Sequence, residues 1–315
     1  MQNSVDDLNI AILIPCFNEA AALPEVIAGL RAALPRATIY IYDNNSTDGT
    51  AALAAGLGAV VRREREQGKG HVVRRMFSDI EAEAYLLIDG DGTYDAGSAK
   101  ALLETLLFEH CDMVNARRVP AGEIAYRPGH AVGNRLLSGL VGGLFGTRIR
   151  DLLSGYRACS RRFVKSFPAL STGFEIETEL TIHALALHMP VAEVETPYRA
   201  RPPGGASKLR TVRDGIRILM TILLIAKEEQ PFLFFSVIAG TLAALSLGLG
   251  IPVVLTYLRT GLVPRFPTAI LAASIMLAAF LAFAAGMILS SVARARRELR
   301  RLHYLNLPWL RSSHL

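Results

Sequence analysis

The chain has 315 residues, 51% of them hydrophobic, and a formal net charge of +6. That length admits one large domain or two ordinary ones, and the hydrophobic share is high for a purely soluble protein. Its three cysteines, Cys16, Cys111 and Cys159, lie far apart without metal-ligand spacing, which points to a reducing compartment and to thiols packed as small apolar groups.

The segment MQNSVDDLNIAILIPCF carries acids where a basic n-region would stand, so no signal peptide is expected. NIAILIPCF reads as a strand and EAAALPEVIAGLRAAL as an amphipathic helix. ATIYIYD is the next strand, ending at NNSTDGT, with a helix over AALAAGLG. AVVRRE is a third strand, GHVVRRMFSDIEA a helix and AYLLIDGD a fourth strand. This alternation predicts an α/β domain with a mainly parallel sheet and helices on both faces, whose ligands sit beyond the carboxyl ends of the strands. A dinucleotide-binding oxidoreductase needs G-x-G-x-x-G in the first strand-to-helix turn. Here that turn is PCFNEAAALP, which has no glycine.

The fourth strand runs into Asp89, Asp91 and Asp95. Such carboxylates either hold a hard cation, cap a helix or make a turn, and Asp95 is best placed to cap the helix over AGSAKALLETLL. Asp48 and Gly49 read as turn and cap residues. In GFEIETEL, Glu175 and Glu179 stand four apart on a helix, suited either to acid/base chemistry or to a helix surface.

SKLRTVRDGIRILMTILLIAKEE repeats Leu209, Val212, Ile216, Leu219 and Leu223 at helical spacing, with Lys208, Arg210, Arg213 and Arg217 among them. It reads as an amphipathic helix on a membrane surface, with docking on its own domain as the alternative. Two uncharged stretches follow, 232–258 and 266–292, each longer than the ~20 residues that span a bilayer. The short loop between them makes a hairpin, and VARARRELRRL after the second puts the tail and the N-terminal domain in the cytoplasm. The basic excess therefore points to membrane lipids and not to nucleic acid. The expected organisation is a cytoplasmic catalytic domain over 1–205, an interfacial helix over 206–229, two transmembrane helices within 230–293 and a basic cytoplasmic tail over 294–315.

Taken together, IPCFNE, DNNSTDGT, QGKG and DGDGTYD resemble glycosyltransferase family 2, whose catalytic domain has the GT-A fold. NARR, GNRLLSGLVGGLFG, DLLSGYRACSRR and YRARPPGGASKLR are similar to its dolichyl-phosphate or polyprenyl-phosphate sugar synthase branch. The resemblance implies that Pro15, Phe17, Glu19 and Asp43 line the base and ribose site of a nucleotide-sugar donor, with Lys69, Asp89, Gly90, Asp91, Arg201 and Lys208 completing the donor site. Many relatives have a second acid after the first in D-D-x-S-x-D-G-T, where this chain has Asn44. Gly68 and Gly70 allow close backbone approach, and Lys69 faces either phosphate or solvent.

The D-x-D element of the resembling enzymes binds Mg²⁺ or Mn²⁺, which makes Asp91, with Asp89 beside it, the expected metal ligand; Thr93 stands where several relatives have Gln. Arg117, Arg135 and Ser138 would hold an acceptor phosphate, with Arg118 the alternative to Arg117, because forked guanidinium donors suit a phosphate oxygen pair. Arg117 and Arg135 are therefore expected among the catalytic residues, together with Asp89 and Asp91. Asp151, Ser154, Gly155 and Arg157 fall beside the active site, and Arg201, Ser207 and Lys208 on a loop near the donor diphosphate. The implied reaction is inverting transfer of one sugar, UDP-linked in preference to GDP-mannose, to a polyprenyl or dolichyl phosphate, by an enzyme that assembles as a homo-tetramer. Two alternatives stand beside it. A polysaccharide synthase would carry Q-x-x-R-W, whereas the only tryptophan is Trp309 in the tail. An inactive membrane scaffold would have lost Asp89, Asp91 or Lys208, all of which are present.

Overall fold

The computed structural model describes residues 4–121, 130–145, 149–201 and 211–309. It divides into two units, Met1–Met220 with Arg300–Leu315, and Thr221–Leu299. In the first unit the chain runs β1 (Ile10–Cys16), α1 (Leu23–Ala33), β2 (Thr38–Asp43), α2 (Thr50–Gly56), β3 (Val60–Arg63), α3 (Lys69–Asp79), β4 (Ala84–Leu87), α4 (Ala99–Phe108) and β5 (Met113–Pro120). It continues through α5 (His130–Phe145), β6 (Arg157–Ser160), α6 (Arg161–Ser166), α7 (Ile176–Ala186) and β7 (Val191–Tyr198) into α8 (Thr211–Glu229).

Among the described residues the strands form one sheet in the order β3-β2-β1-β4-β6-β5-β7. The first four are mutually parallel, β5 and β7 are parallel, and β6 runs antiparallel to both its neighbours. β1 is buried on both faces, which is why it reads as an unbroken apolar run. Its Ile10, Ile12 and Ile14 pack in one layer with Leu23, Val26, Ile27 and Leu30 of α1 and Leu102, Leu103 and Leu106 of α4. Ala11 and Leu13, one residue out of phase, face the other layer. There Phe77 of α3 meets Tyr85 and Phe167 edge-on, with ring centroids 6.4 and 6.0 Å apart. All three cysteines are buried free thiols.

The register brings the polar segments to one edge. Cys16 at the end of β1 pairs with Asp43 at the end of β2, while Leu87 at the end of β4 pairs with Leu13. The chain after Leu87 therefore climbs past the last residues of β1, and Gly90 comes up beside Cys16. A Cβ on Gly90 would lie 3.0 Å from the Cys16 sulfur. Because β6 is antiparallel, with Arg157 opposite Leu87, its beginning lies at this edge and brings residues 151–156 there. Asn115 of β5 also lies opposite Arg157, so Arg117 and Arg118 rise at the same edge, as does the chain leaving β7.

In the second unit α9 (Pro231–Thr260) and α10 (Phe266–Leu305) are the two helices long and apolar enough to cross a membrane. Buried positions recur every seven residues along both, at Ala239, Ser246 and Val253 on α9 and at Ala272, Ala279, Gly286 and Ala293 on α10. Small side chains at that period let two backbones approach closely along one seam. The contacts are tight: Ser246 Oγ donates to the Ala272 carbonyl at 2.7 Å, and a Cβ on Gly286 would lie 2.9 Å from that of Phe235. Larger apolar side chains such as Phe232, Val237, Ile251, Phe280 and Ile288 are exposed.

The apolar stretches expected over 232–258 and 266–292 thus lie within these helices, and α10 continues through the arginine-rich segment. Its end belongs to the first unit. Tyr304 Oη donates to Asp112 at 2.6 Å beneath the Arg162 guanidinium, and Trp309 Nε1 donates to the Cys111 carbonyl at 3.0 Å. On α8, Leu219 and Leu223 are exposed as a surface-seeking stripe requires, whereas Ile218, Ile222 and Ala226 are buried. Leu209 and Arg210 lie outside the described residues.

Candidate active site

At the end of β2, the Asp43 carboxylate accepts the Ser46 N–H at 3.2 Å through Oδ2. Its Oδ1 is buried and finds no partner among the described residues. A buried, unmatched carboxylate oxygen is costly unless a ligand hydroxyl or N–H meets it. Asp48 accepts the N–H groups of Ala20 and Thr50 at 3.1 and 3.0 Å, tying the first two loops together, and Gly49 has φ +83 at the start of α2. The turn-and-cap reading of this pair holds.

Asn44 has a different task from the acid found in relatives. Its Nδ2 donates to the carbonyls of Glu64 and Glu66 at 3.1 and 2.8 Å, and its Oδ1 accepts the Gly68 N–H at 2.8 Å. Only an amide donates and accepts in this way. Asn44→Asp should therefore lower stability by about 2 kcal/mol, since two carbonyls lose their donor and face a charge instead. Chemical denaturation of the two proteins measures it, and an unchanged midpoint would refute the clamp.

Asp91 is 6% exposed and both of its oxygens are engaged. Oδ1 accepts the Thr93 N–H at 3.1 Å and its hydroxyl at 2.6 Å, and Oδ2 accepts Arg201 at 2.6 Å. Thr93 thus fixes the Asp91 rotamer. Burial works against the Arg201 charge, but Asp91 outweighs it and holds the guanidinium pKa above its usual range. Asp95 accepts the Ser98 N–H at 3.0 Å and its hydroxyl at 2.8 Å, so it caps the helical turn before α4 as expected.

Asp89 pairs with the Lys69 ammonium, which also reaches Glu177 at 2.6 Å. Lys69 therefore faces carboxylates, where phosphate and solvent were the expected alternatives. Although burial opposes its charge, the two carboxylates raise its pKa. The glycines beside it serve the protein's own backbone: a Cβ on Gly68 or Gly70 would lie 2.2 Å from the Thr172 or 2.1 Å from the Ser171 carbonyl oxygen. Gly155 does make room for the site, since a Cβ there would lie 2.5 Å from Asp89 Oδ2. Its N–H donates to Tyr94 Oη at 2.8 Å, joining the D-x-D turn to the 151–155 loop. Tyr94 lies in the DGDGTYD motif, but only the fold reveals this use.

Neighbouring strand residues point to opposite faces, and the two arginines of β5 differ accordingly. Arg117 pairs with Glu195 of β7 at 2.6 Å, its side chain 34% exposed. Arg118 turns inward and grips Asp151 with two parallel hydrogen bonds of 2.7 Å, its guanidinium 5.3 Å from the Tyr198 ring centre. Burial pushes the Asp151 carboxyl up, but Arg118 and Asn134 together hold it below the ordinary range. The Arg135 side chain and residues Ser207 and Lys208 lie outside the described residues. Ser138 accepts the Leu152 N–H at 3.2 Å, so its hydroxyl braces the same loop.

Buried groups behind the loop take structural roles. Arg157 is fully buried and donates to the Leu152 and Ser154 carbonyls and to Thr181 at 2.9, 3.0 and 2.8 Å; it frames the loop from behind. Glu175 and Glu179 are buried, because α7 is covered on every side, which removes the helix-surface alternative. Glu179 accepts the N–H groups of Leu170 and Ser171, both at 2.8 Å, an anchoring role that leaves it no part in acid/base chemistry. The carboxylate of this helix that is linked to the D-x-D element, through the shared Lys69 ammonium, is Glu177, which the sequence reading passed over.

No group of three or more His, Cys, Asp or Glu among the described residues is arranged to enclose a metal. Asp89 and Asp91 are two hard oxygen donors, which suits an ion that takes its other ligands from substrate phosphates and water.

The family model described as "Glycosyl transferase family 2" matches residues 11–166. The glycosyltransferase AglJ of Haloferax volcanii is 34% identical over 77% of this chain and 80% of its own. The polyprenol monophosphomannose synthase of Mycolicibacterium smegmatis is 26% identical over 61% and 78% of the two chains. Among solved structures, the Mycobacterium tuberculosis glucosyl-3-phosphoglycerate synthase, in complex with Mn²⁺, UDP and glucosyl-3-phosphoglycerate, has the same GT-A-type fold. It superposes with a TM-score of 0.56 over 69% of this chain and 79% of its own, at 22% identity. By these matches the chain belongs to glycosyltransferase family 2.

Proposed function

We propose that this protein transfers a single sugar, with inversion, from a nucleotide-sugar to a polyprenyl or dolichyl phosphate at the cytoplasmic face of a membrane. One observation carries the reading: carboxylates suited to a metal–diphosphate (Asp89 and Asp91) and arginines suited to a phosphate (Arg117 and Arg118) rise at one sheet edge, in a chain with two membrane-length helices. The similarity to a polyprenol monophosphomannose synthase supports the acceptor class. UDP and Mn²⁺ in the solved relative support a UDP-sugar and a divalent ion, with GDP-mannose kept as the second donor.

In this reading Asp43 holds the nucleoside with Glu19, Phe17 and Pro15 around it. Asp91 and Asp89 would hold Mg²⁺ or Mn²⁺, which supplies charge neutralisation for the departing diphosphate. Arg201, which lies against Asp91, is assigned to the diphosphate, and Lys208 is assigned beside it from the sequence. Arg117 and Arg135, with Ser138, keep the acceptor phosphate on the far side of the anomeric carbon; Arg118, which grips Asp151, is the alternative to Arg117. A phosphate monoester, whose second pKa is about 6, is largely dianionic at neutral pH. Its oxygen forms the new bond to the anomeric carbon as the bond to the nucleoside diphosphate breaks, so positioning replaces a strong general base. The arginines after the second apolar span, and the return of residue 300 and beyond to the first unit, support a topology with both ends on the cytoplasmic side.

The test is transfer of labelled sugar from a panel of UDP- and GDP-sugars to polyprenyl phosphate by the purified protein in detergent with Mg²⁺ or Mn²⁺. One donor should give a metal-dependent lipid product. Absence of product from every donor, with nucleotide still bound, would overturn the acceptor.

A further inference from the structure

We infer that Glu177 is a positioning residue of the donor site: it is the fixed counter-charge that shares the Lys69 ammonium with Asp89 and so leaves Asp89 able to take a divalent cation. The inference rests on the reading that Asp89 and Asp91 bind a metal–nucleoside diphosphate.

Three separate elements build the arrangement. Lys69 opens α3, Asp89 follows β4, and Glu177 lies in the first turn of α7. Glu177 is 5% exposed on a helix buried all round, so its carboxylate cannot swing away. Oε1 takes the Lys69 hydrogen bond at 2.6 Å, and Oε2 is buried without a partner among the described residues. The absence of a side chain at Gly155 makes the meeting possible, since a Cβ there would lie 2.9 Å from Lys69 Nζ as well as against Asp89.

The charges then decide the consequence. Ion pairs join Asp89, Asp91 and Glu177 to Lys69 and Arg201, with Glu19 acting on Arg201 and the buried Arg157 acting on Glu177; four carboxylates against three cations leave one net negative charge for an incoming cation. Without the Glu177 charge the cluster is neutral, and among the described residues the buried ammonium keeps Asp89 as its one carboxylate partner. A buried ion does not give up its last partner cheaply. Lys69 would then compete with the metal for Asp89, so the Glu177 charge is read in cation affinity.

The experiment titrates Mn²⁺ by electron paramagnetic resonance into the full-length protein in detergent, with UDP or GDP present and no acceptor, alongside thermal melts. Glu177→Gln should weaken Mn²⁺ binding at least tenfold, and Glu177→Asp should recover part of the loss. Lys69→Met combined with Glu177→Gln removes competitor and counter-charge together, and should bind Mn²⁺ within about threefold of the parent, because exchanging a buried ion pair for neutral groups is tolerated. That double variant still reads the effect if Glu177→Gln alone misfolds. Unchanged Mn²⁺ affinity in Glu177→Gln, or a double variant tenfold weaker than the parent, overturns the inference. Failure of the parent protein itself to take up Mn²⁺ with either nucleotide overturns the donor-site reading first.

Discussion

Asp91→Asn should abolish sugar transfer, lowering kcat/KM by roughly 10³-fold or more, while the protein stays folded. The side chain accepts from Thr93 through one oxygen and from Arg201 through the other. An asparagine keeps the first set of bonds, since its Oδ1 still accepts from Thr93. It loses the second, because an amide NH₂ facing a guanidinium has no lone pair to offer. The fold therefore loses an ion pair whose carboxylate is buried, which costs more than the ~1 kcal/mol of an exposed pair. The chemistry loses much more. In the proposed donor site one of two hard donors for a divalent ion becomes neutral, and charge neutralisation of a leaving diphosphate is worth several kcal/mol, which is three powers of ten at about 1.4 kcal/mol each. The measurement pairs the transfer assay with Mn²⁺ binding in the presence of UDP or GDP. Loss of both, in a variant that still melts cooperatively at a somewhat lower temperature, is the expected result. A variant that keeps more than a tenth of the parent rate would remove Asp91 from the metal site.

How far the site could be read in advance depended on what each segment does in the fold. The β1, β2 and β4 loops were legible because each parallel strand is an apolar run that breaks into polar residues at one end, and the parallel register collects those ends. The membrane-length helices were legible from length and lack of charge alone. β6 was not, because RACS is a short strand whose antiparallel direction is fixed by neighbours far away in sequence. Arg117 and Arg118 stayed ambiguous for a related reason, as alternation shows that they oppose each other but not which one faces inward. Glu177 escaped because α7 is buried on every side, so its pattern has no polar face, and the eye falls on the four-residue spacing of Glu175 and Glu179. Asn44 looked like a missing charge when it was a clamp, a distinction visible only once the carbonyls of Glu64 and Glu66 are seen across from it.

Gly70→Ala should damage stability and metal binding together. The QGKG stretch invites the view that its glycines admit a phosphate. Their room is already taken. Gly70 N–H donates to the Thr172 carbonyl at 3.1 Å, and a methyl would lie 2.1 Å from the Ser171 carbonyl oxygen and 2.7 Å from its carbon. These are backbone atoms and cannot rotate aside, while Glu179 pins the same segment through the Ser171 N–H. Relief requires the start of α3 and the 170–172 segment to separate, a forced shift that costs about 3 kcal/mol. That movement carries Lys69, one residue earlier, away from Asp89 and Glu177. Mn²⁺ affinity should therefore fall at least tenfold even at temperatures where the variant is fully folded. Gly139→Ala is the control: it lies on α5 with open space where its methyl would go, and a helical glycine gains from the change. Its melting temperature should match or exceed the parent value while that of Gly70→Ala drops by several degrees. Equal melting temperatures for the two variants would mean that the α3 start and the 170–172 segment are not in the contact described, and the Lys69–Asp89–Glu177 geometry would have to be redrawn with them.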